Sequence, residues 1–177
     1  MSSSAKRSVG AGAKSNIVIV PARPSDAAAA VRITVEAFDG VSIDQAIERR
    51  LGRAGGKSWR KLKGDAVREE FRRAPEQCFV ARAGRRVVGY ITTEISKPRS
   101  RGRIPNLAVA ASCRGQGIGR RLIEHALAHF RRLGLRQARI ETLAVNEAGL
   151  HLYPAMGFEE VARQVYYVMP LAPKGRE

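Results

Sequence analysis

The sequence predicts a single α/β (α+β) domain built on a mixed sheet. Three observations carry that prediction. Apolar runs of strand length alternate with segments of helical periodicity. One such pair, an apolar run at 104–110 and an amphipathic helix pattern at 120–133, is joined by a glycine-rich turn. A length of 177 residues with 44% hydrophobic residues suits one domain with a real core, and there is no internal repeat or clear linker.

The first strand candidate is 17–20. Ser25 or Asp26 then offers a side-chain oxygen to cap the orphan N–H groups of a helix that runs to Phe38. Residues 43–51 read as a second helix, which the glycines at 52–56 break. Helical pattern resumes at 57–73 and Pro75 closes it. Residues 78–83 and 86–95 are strands joined by Gly84-Arg85, a hairpin signal. A basic loop at 96–103 leads to the strand at 104–110. In the next helix Ile118, Leu122, Ala126, Phe130 and Leu133 fall on one side, at about 100° per residue. Arg120, Glu124 and Arg131 fall on the other, the pattern of a core-packed helix with a wet back. Gly134 ends it. A strand at 138–145, a helix at 147–156 and a closing hairpin of 158–164 with 165–169 complete the pattern.

The formal charge is +16, from 32 Lys and Arg against 16 Asp and Glu. Much of the excess clusters at Arg49, Arg50, Arg53, Lys57, Arg60, Lys61, Lys63, Arg68, Arg72 and Arg73. Such a run is usually a solvated helical face; it can also meet an acidic acceptor, an anionic membrane surface or nucleic acid. No stretch approaches the roughly 20 apolar residues of a membrane-spanning helix. The two cysteines, Cys78 and Cys113, read as free and reduced, which favours the cytoplasm. Residues 1–15 lack the apolar core of a signal peptide and read as a disordered tail. The domain is expected at 16–172, with a short C-terminal tail at 173–177.

The most informative stretch is Arg114-Gly115-Gln116-Gly117-Ile118-Gly119. Glycines let the backbone approach a ligand and turn its N–H groups inward. The helix N-terminus adds partial positive charge at the same place, so strand, turn and helix together form a cradle for a phosphorylated ligand. Two common phosphate loops do not fit. The G-x-x-x-x-G-K-[ST] loop needs a Lys followed by Ser or Thr, which this turn lacks. In a G-x-G-x-x-G fingerprint begun at Gly115, Arg120 occupies the last glycine position. The acidic residue required about 20 positions on would be Glu141, which lies inside a strand pattern rather than at its tip.

The pattern R-x-x-G-x-G after a strand ending Leu107-Ala108-Val109 resembles the acetyl-coenzyme A signature of the GNAT acetyltransferase superfamily. A second block, from Asn146 to Phe158, resembles the family's N-x-x-A-x-x-L-Y-x-x-x-G-F. A third, Pro21-Ala22-Arg23-Pro24-Ser25-Asp26 and the helix after it, resembles its first strand and helix. The resemblance covers roughly residues 17 to 170. Ala110-Ala111 departs from the acidic residue and proline or alanine common there. Gly149 replaces the usual alanine, at a cost of about 1 kcal/mol in helix propensity.

The resemblance implies the GNAT fold, a mixed, mostly antiparallel central sheet flanked by helices. It implies an N-acetyltransferase that moves an acetyl group from acetyl-CoA to a primary amine, of a small molecule or a protein, by direct transfer in a ternary complex. No metal is implied. Arg114, Gly115, Gln116, Gly117, Ile118, Gly119 and Arg120 would line the pyrophosphate site, with Arg121 also in reach of phosphates. The backbones of Leu107 and Val109 would bind the pantetheine arm, the Val109 N–H acting as oxyanion donor. Tyr153 matches the tyrosine that protonates the departing thiolate. Asn146 would lie near the pantetheine arm or cap its own helix. Residues 38–63 and the final hairpin would grip the acceptor. Dimers are common in the family, and nothing in the sequence decides whether this chain forms one.

The general base is not readable. The strand before the glycine turn carries no glutamate, and Glu94 and Glu141, on flanking strands, also read as paired structural charges. Tyr166 and Tyr167 resemble tyrosines that contact the acceptor in N-terminal acetylating members. His125 and His129 have a spacing a metal could use but no third ligand. The alternative is a non-catalytic nucleic-acid-binding module on the same fold. Its support is the arginine-rich run, with Trp59 and Phe71 the only aromatic candidates for base stacking.

Overall fold

The computed structural model describes residues 16–171, so both segments read as tails lie outside the described residues. Five strands form one sheet in chain order: β1 (Ile17–Pro21), β2 (Cys78–Ala83), β3 (Arg86–Ser96), β4 (Arg101–Val109) and β5 (Gln137–Ile140). All neighbours are antiparallel except β4 and β5, which run parallel. The helices are α1 (Ala27–Ala37), α2 (Ile43–Leu51), α3 (Trp59–Arg73), α4 (Ile118–Arg132) and α5 (Glu147–Leu152).

Side chains alternate across a strand, so β2 feeds two cores. Phe79 and Ala81 pack with Ile118, Leu122, Ala126 and Phe130 of α4. Val80, between them, packs with Ala30 and Ile33 of α1 and Val67 and Phe71 of α3. A sheet covered on both faces explains why β2 and β3 read as near-continuous apolar runs. The second core contains one polar pair: the Tyr90 and Thr34 hydroxyls lie 2.6 Å apart, and Thr34 also donates to the Ala30 carbonyl at 2.7 Å.

Between β3 and β4 the register shifts. Thr92 faces Asn106 and Glu94 faces Arg103, so one β3 residue opposes both Ile104 and Pro105. This is a β-bulge, a position that tolerates the missing N–H of Pro105. It turns β4 so that Leu107 packs on the α4 side while Ala108 packs on the α1 and α3 side.

Several expectations are corrected. The basic loop at 96–103 is mostly strand: β3 runs to Ser96 and β4 starts at Arg101, with a short turn between. Arginines at 101 and 103 hid the strand, because they are partly exposed while Gly102 between them is buried. Neither Ser25 nor Asp26 caps α1 through its side chain. The buried Asp26 carboxylate instead accepts from the Arg23 N–H at 2.9 Å and from Arg82 at 2.7 Å. Helix α3 starts at Trp59, capped by Ser58, and α4 starts at Ile118. Leu133, past the end of α4, is exposed. The strand expected to reach 145 stops at Ile140. The helix expected to reach 156 ends as α5 at Leu152, because Pro154 lacks an N–H to continue the ladder. The closing hairpin is absent among the described residues: 158–169 forms no ladder, and Tyr167 is 92% exposed. The expected turn at Gln164-Val165 holds no Gly, Asn, Asp or Pro to close a tight hairpin.

Candidate functional site

The site begins where β5 leaves β4. Their parallel ladder ends at Ile104 opposite Ile140, while β4 continues to Val109. Ala110 donates its N–H to Val88 of β3 at 2.9 Å. Donors alternate in an antiparallel ladder, so Ala108 and Asn106 also face β3. The N–H and C=O groups of Leu107 and Val109 therefore turn the other way, into the gap that β5 has vacated. Arg114 Nε takes up one of them, donating to the Val109 carbonyl at 3.3 Å.

That gap is part of a cavity of about 870 Å³. One wall is β4, with Pro105, Leu107 and Val109; the other is Glu141, Thr142 and Leu143 after β5. At one end lie Arg114, Gly115, Gly117, Ile118 and Gly119. Gly115 and Gly117 both have φ of +74°, a conformation that favours glycine, and a Cβ on either would meet only open space. Gly117 is the N-cap of α4, and no side chain caps it. The first intrahelical acceptor, Gly117 C=O, receives Arg121 N–H, so the N–H groups at the start of the helix are left for a ligand. No acidic side chain occupies the first turn. These features fit a phosphorylated ligand: free backbone donors, a helix N-terminus and room above the glycines.

On the far wall Asn146 caps α5, accepting from Gly149 N–H at 3.3 Å and donating to Thr142 Oγ1 at 2.8 Å. The capping reading therefore holds, and the amide keeps spare capacity toward the cavity. Tyr153 also lines the cavity, and burial raises its phenol above the ordinary pKa. Among the described residues its hydroxyl has no hydrogen-bond partner and its ring meets Phe158 edge-on.

The structure thus brings Leu107, Val109, Arg114, Gly115, Gly117, Ile118, Gly119, Asn146 and Tyr153 to one cavity. Gln116 and Arg120 are exposed and not part of its lining. Arg120 reaches back to the Ala155 carbonyl at 3.5 Å, and Arg121 donates to the Ile17 carbonyl at 2.7 Å. Glu94 and Glu141 are both paired with Arg103, at 3.0 and 3.1 Å, and Glu141 also with Arg139 at 2.6 Å. Tyr166 lines the cavity; Tyr167 does not. His125 and His129 pack edge-on against Phe79, and burial lowers the pKa of both. Among the described residues no three His, Cys, Asp or Glu side chains are grouped to hold a metal.

The basic run 49–73 is largely solvated. Arg60 pairs with Asp39, Lys61 and Arg68 with Asp65, and Arg72 with Glu69. Trp59 and Phe71 are 3% and 0% exposed, so neither offers a ring for base stacking. Lys63 differs: it lines the cavity and donates to Asn106. The basic run hid it, although Trp59, Lys63, Val67 and Phe71 share one helical stripe. Among the described residues no helix is long and apolar enough to cross a membrane.

A sheet that splits beside a glycine turn and an uncapped helix makes a cleft suited to a long phosphorylated ligand, and sequence comparison gives the family. Residues 44–158 match the Acetyltransferase (GNAT) family, and the chain belongs to it. It is 38% identical over 71 residues to N-alpha-acetyltransferase 30 of Saccharomyces cerevisiae, covering 40% of this chain and 40% of that one. It is 34% identical over 96 residues to the mycothiol acetyltransferase of Geodermatophilus obscurus, covering 51% of this chain and 31% of that one. The matches therefore span less than half of either relative. The PaiA N-acetyltransferase of Thermoplasma acidophilum, solved in complex with coenzyme A, shares the fold at a TM-score of 0.67. There the identity is 18%, over 81% of this chain and 90% of that one.

Proposed function

We propose that this chain transfers an acetyl group from acetyl-CoA to a primary amine, directly within a ternary complex. The observation that carries this reading is the cleft itself. The unpaired backbone edge at Leu107 and Val109 meets the free N–H groups of the α4 N-terminus in one cavity. Both named relatives are acetyltransferases, one of them named for the α-amino position.

Bound acetyl-CoA supplies the activated thioester. The turn from Arg114 to Gly119 holds the phosphates through its backbone and the α4 dipole. The edge groups of Leu107 and Val109 hold the pantetheine arm as a further strand would be held, with Asn146 opposite. Val109 N–H donates to the carbonyl oxygen as negative charge develops there. The amine nitrogen attacks the carbonyl carbon, the carbon–sulfur bond breaks, and the Tyr153 hydroxyl gives its proton to the leaving thiolate. With Glu94 and Glu141 held by arginine, the proton lost by the amine leaves through water. Two buried free thiols, Cys78 and Cys113, suit a reducing compartment, here the cytoplasm.

The test is acetyl transfer followed by thiol release, with Tyr153→Phe alongside the parent protein. Turnover should fall about 100-fold with acetyl-CoA affinity within about twofold of the parent. Unchanged turnover removes Tyr153 from the acid role.

A further inference from the structure

Helix α3 turns one charged residue inward. Trp59, Val67 and Phe71 on its inner stripe are buried in apolar surroundings, while Lys63, on the same stripe, ends at the cavity. Its Nζ donates to Asn106 Oδ1 at 2.7 Å and lies 4.5 Å from the centroid of the Phe38 ring, which also lines the cavity. The Asn106 amide can point only one way. Its Nδ2 donates to both Glu70 oxygens, at 2.9 and 2.8 Å, and to Thr92 Oγ1 at 3.2 Å. A carboxylate only accepts and an ammonium only donates, so Oδ1 must face Lys63.

An ammonium has three donors. One goes to Asn106 and one side is turned to the Phe38 ring face. None of the ion pairs among the described residues includes Lys63. The charged groups that act on it are Glu70, Asp44 and Arg103. Burial and Arg103 draw its pKa down, while Glu70 and Asp44 hold the charged form. A cation largely withdrawn from water is stabilised when an anion joins it. Asn106 precedes Val109 by three residues, about 10 Å of strand, on the side away from the glycine turn. Lys63 therefore marks the part of the cavity left for the acceptor.

We propose that Lys63 is an anion subsite for the acceptor: its ammonium receives a carboxylate carried beside the amine that is acetylated. The proposal rests on reading the cleft as an acetyltransferase site, and it names the acceptor class as an amine that also bears a carboxylate. That carboxylate can belong to an acidic first residue of a peptide or to a free amino acid.

The test compares tetrapeptides that open with Asp or Glu against the same peptides opening with Asn or Gln, and free aspartate and glutamate against both their side-chain amides and their α-amides. Parent protein, Lys63→Met, Lys63→Gln and Lys63→Arg are assayed, with acetyl-CoA affinity as the check that each variant folds. The parent should favour the carboxylate over its amide by about tenfold or more in kcat/KM, through KM. The peptide and free-amino-acid arms show which source is used. Lys63→Met and Lys63→Gln should bring that ratio near one, and Lys63→Arg should keep most of it. Equal use of carboxylate and amide by the parent overturns the proposal. So does a preference that survives in Lys63→Gln, or a loss of kcat in Lys63→Arg equal to that in Lys63→Met, which would make Lys63 a base. Failure of the parent to bind acetyl-CoA overturns the acetyltransferase reading and the subsite with it. Binding with no carboxylate preference overturns the subsite alone.

Discussion

A methyl group on Gly149 would come within 2.9 Å of Asn146 Nδ2 and Thr142 Oγ1 and 3.2 Å of the Tyr153 ring. The glycine that looks costly by helix propensity is therefore fitted to the site. Alanine would gain about 1 kcal/mol of propensity but push on the Asn146–Thr142 hydrogen bond and on Tyr153. Gly149→Ala should lower turnover severalfold without raising the melting temperature; steady-state kinetics beside thermal unfolding checks both. A faster or more stable variant would mean the contact yields freely. The raised pKa of Tyr153 gives a second expectation. The phenol keeps its proton through the ordinary tyrosine range, so loss of the acid should appear only above about pH 10. A kcat profile of the parent should show that alkaline limb, and Tyr153→Phe should lack it. At this scale the motif matches led to the cavity, which the glycine turn and Tyr153 both line. Lys63 was not legible, because the charges around it hid the one that turns inward.

Among the elements, α4 carries both a core and a site. Its apolar stripe was readable from spacing alone, and Ile118, Leu122, Ala126 and Phe130 are buried as expected. The ring of Phe130 lies on Gly102 of β4, where an added Cβ would sit 2.6 Å from three ring atoms. Gly102→Ala should destabilise the fold by about 1–3 kcal/mol, measured by urea unfolding. His125 and His129, on the same helix, have lowered pKa values. As pH falls below about 6.5, the unfolded chain binds protons that the folded chain refuses, so stability falls toward acid pH. Replacing His129 by Leu should flatten that slope, and unfolding at pH 5 and pH 7.5 would measure it. What spacing did not show was where β5 and α5 end. Those limits depend on Pro154 and on a sheet that opens into a cavity, neither of which a period can report. The segment 158–169 is rich in β-branched and aromatic residues but has no neighbouring strand, so composition there misled.

For the whole molecule, the sheet and the cavity have one origin. The bulge at Ile104 and Pro105 and the early end of β5 part the last two strands, and the parting exposes backbone donors beside the α4 N-terminus. Alternation of strands and helices was enough to predict the α/β class. The split between β4 and β5 was implied by the family resemblance and not by periodicity, since spacing along one strand does not report where its neighbour ends. The charge of +16 is carried largely on solvated faces, where many arginines and lysines pair with carboxylates, while Lys63, Arg103 and Arg114 line the cavity. The central claim is that this cavity binds acetyl-CoA through the glycine turn. Calorimetric titration with acetyl-CoA at physiological salt tests it most directly, with ATP as a polyanion control and Gly117→Glu as the variant. The account predicts saturable binding near one per chain, much weaker binding of ATP, and loss of acetyl-CoA binding in the folded variant. Equal binding of ATP, or undiminished binding by Gly117→Glu, would contradict it.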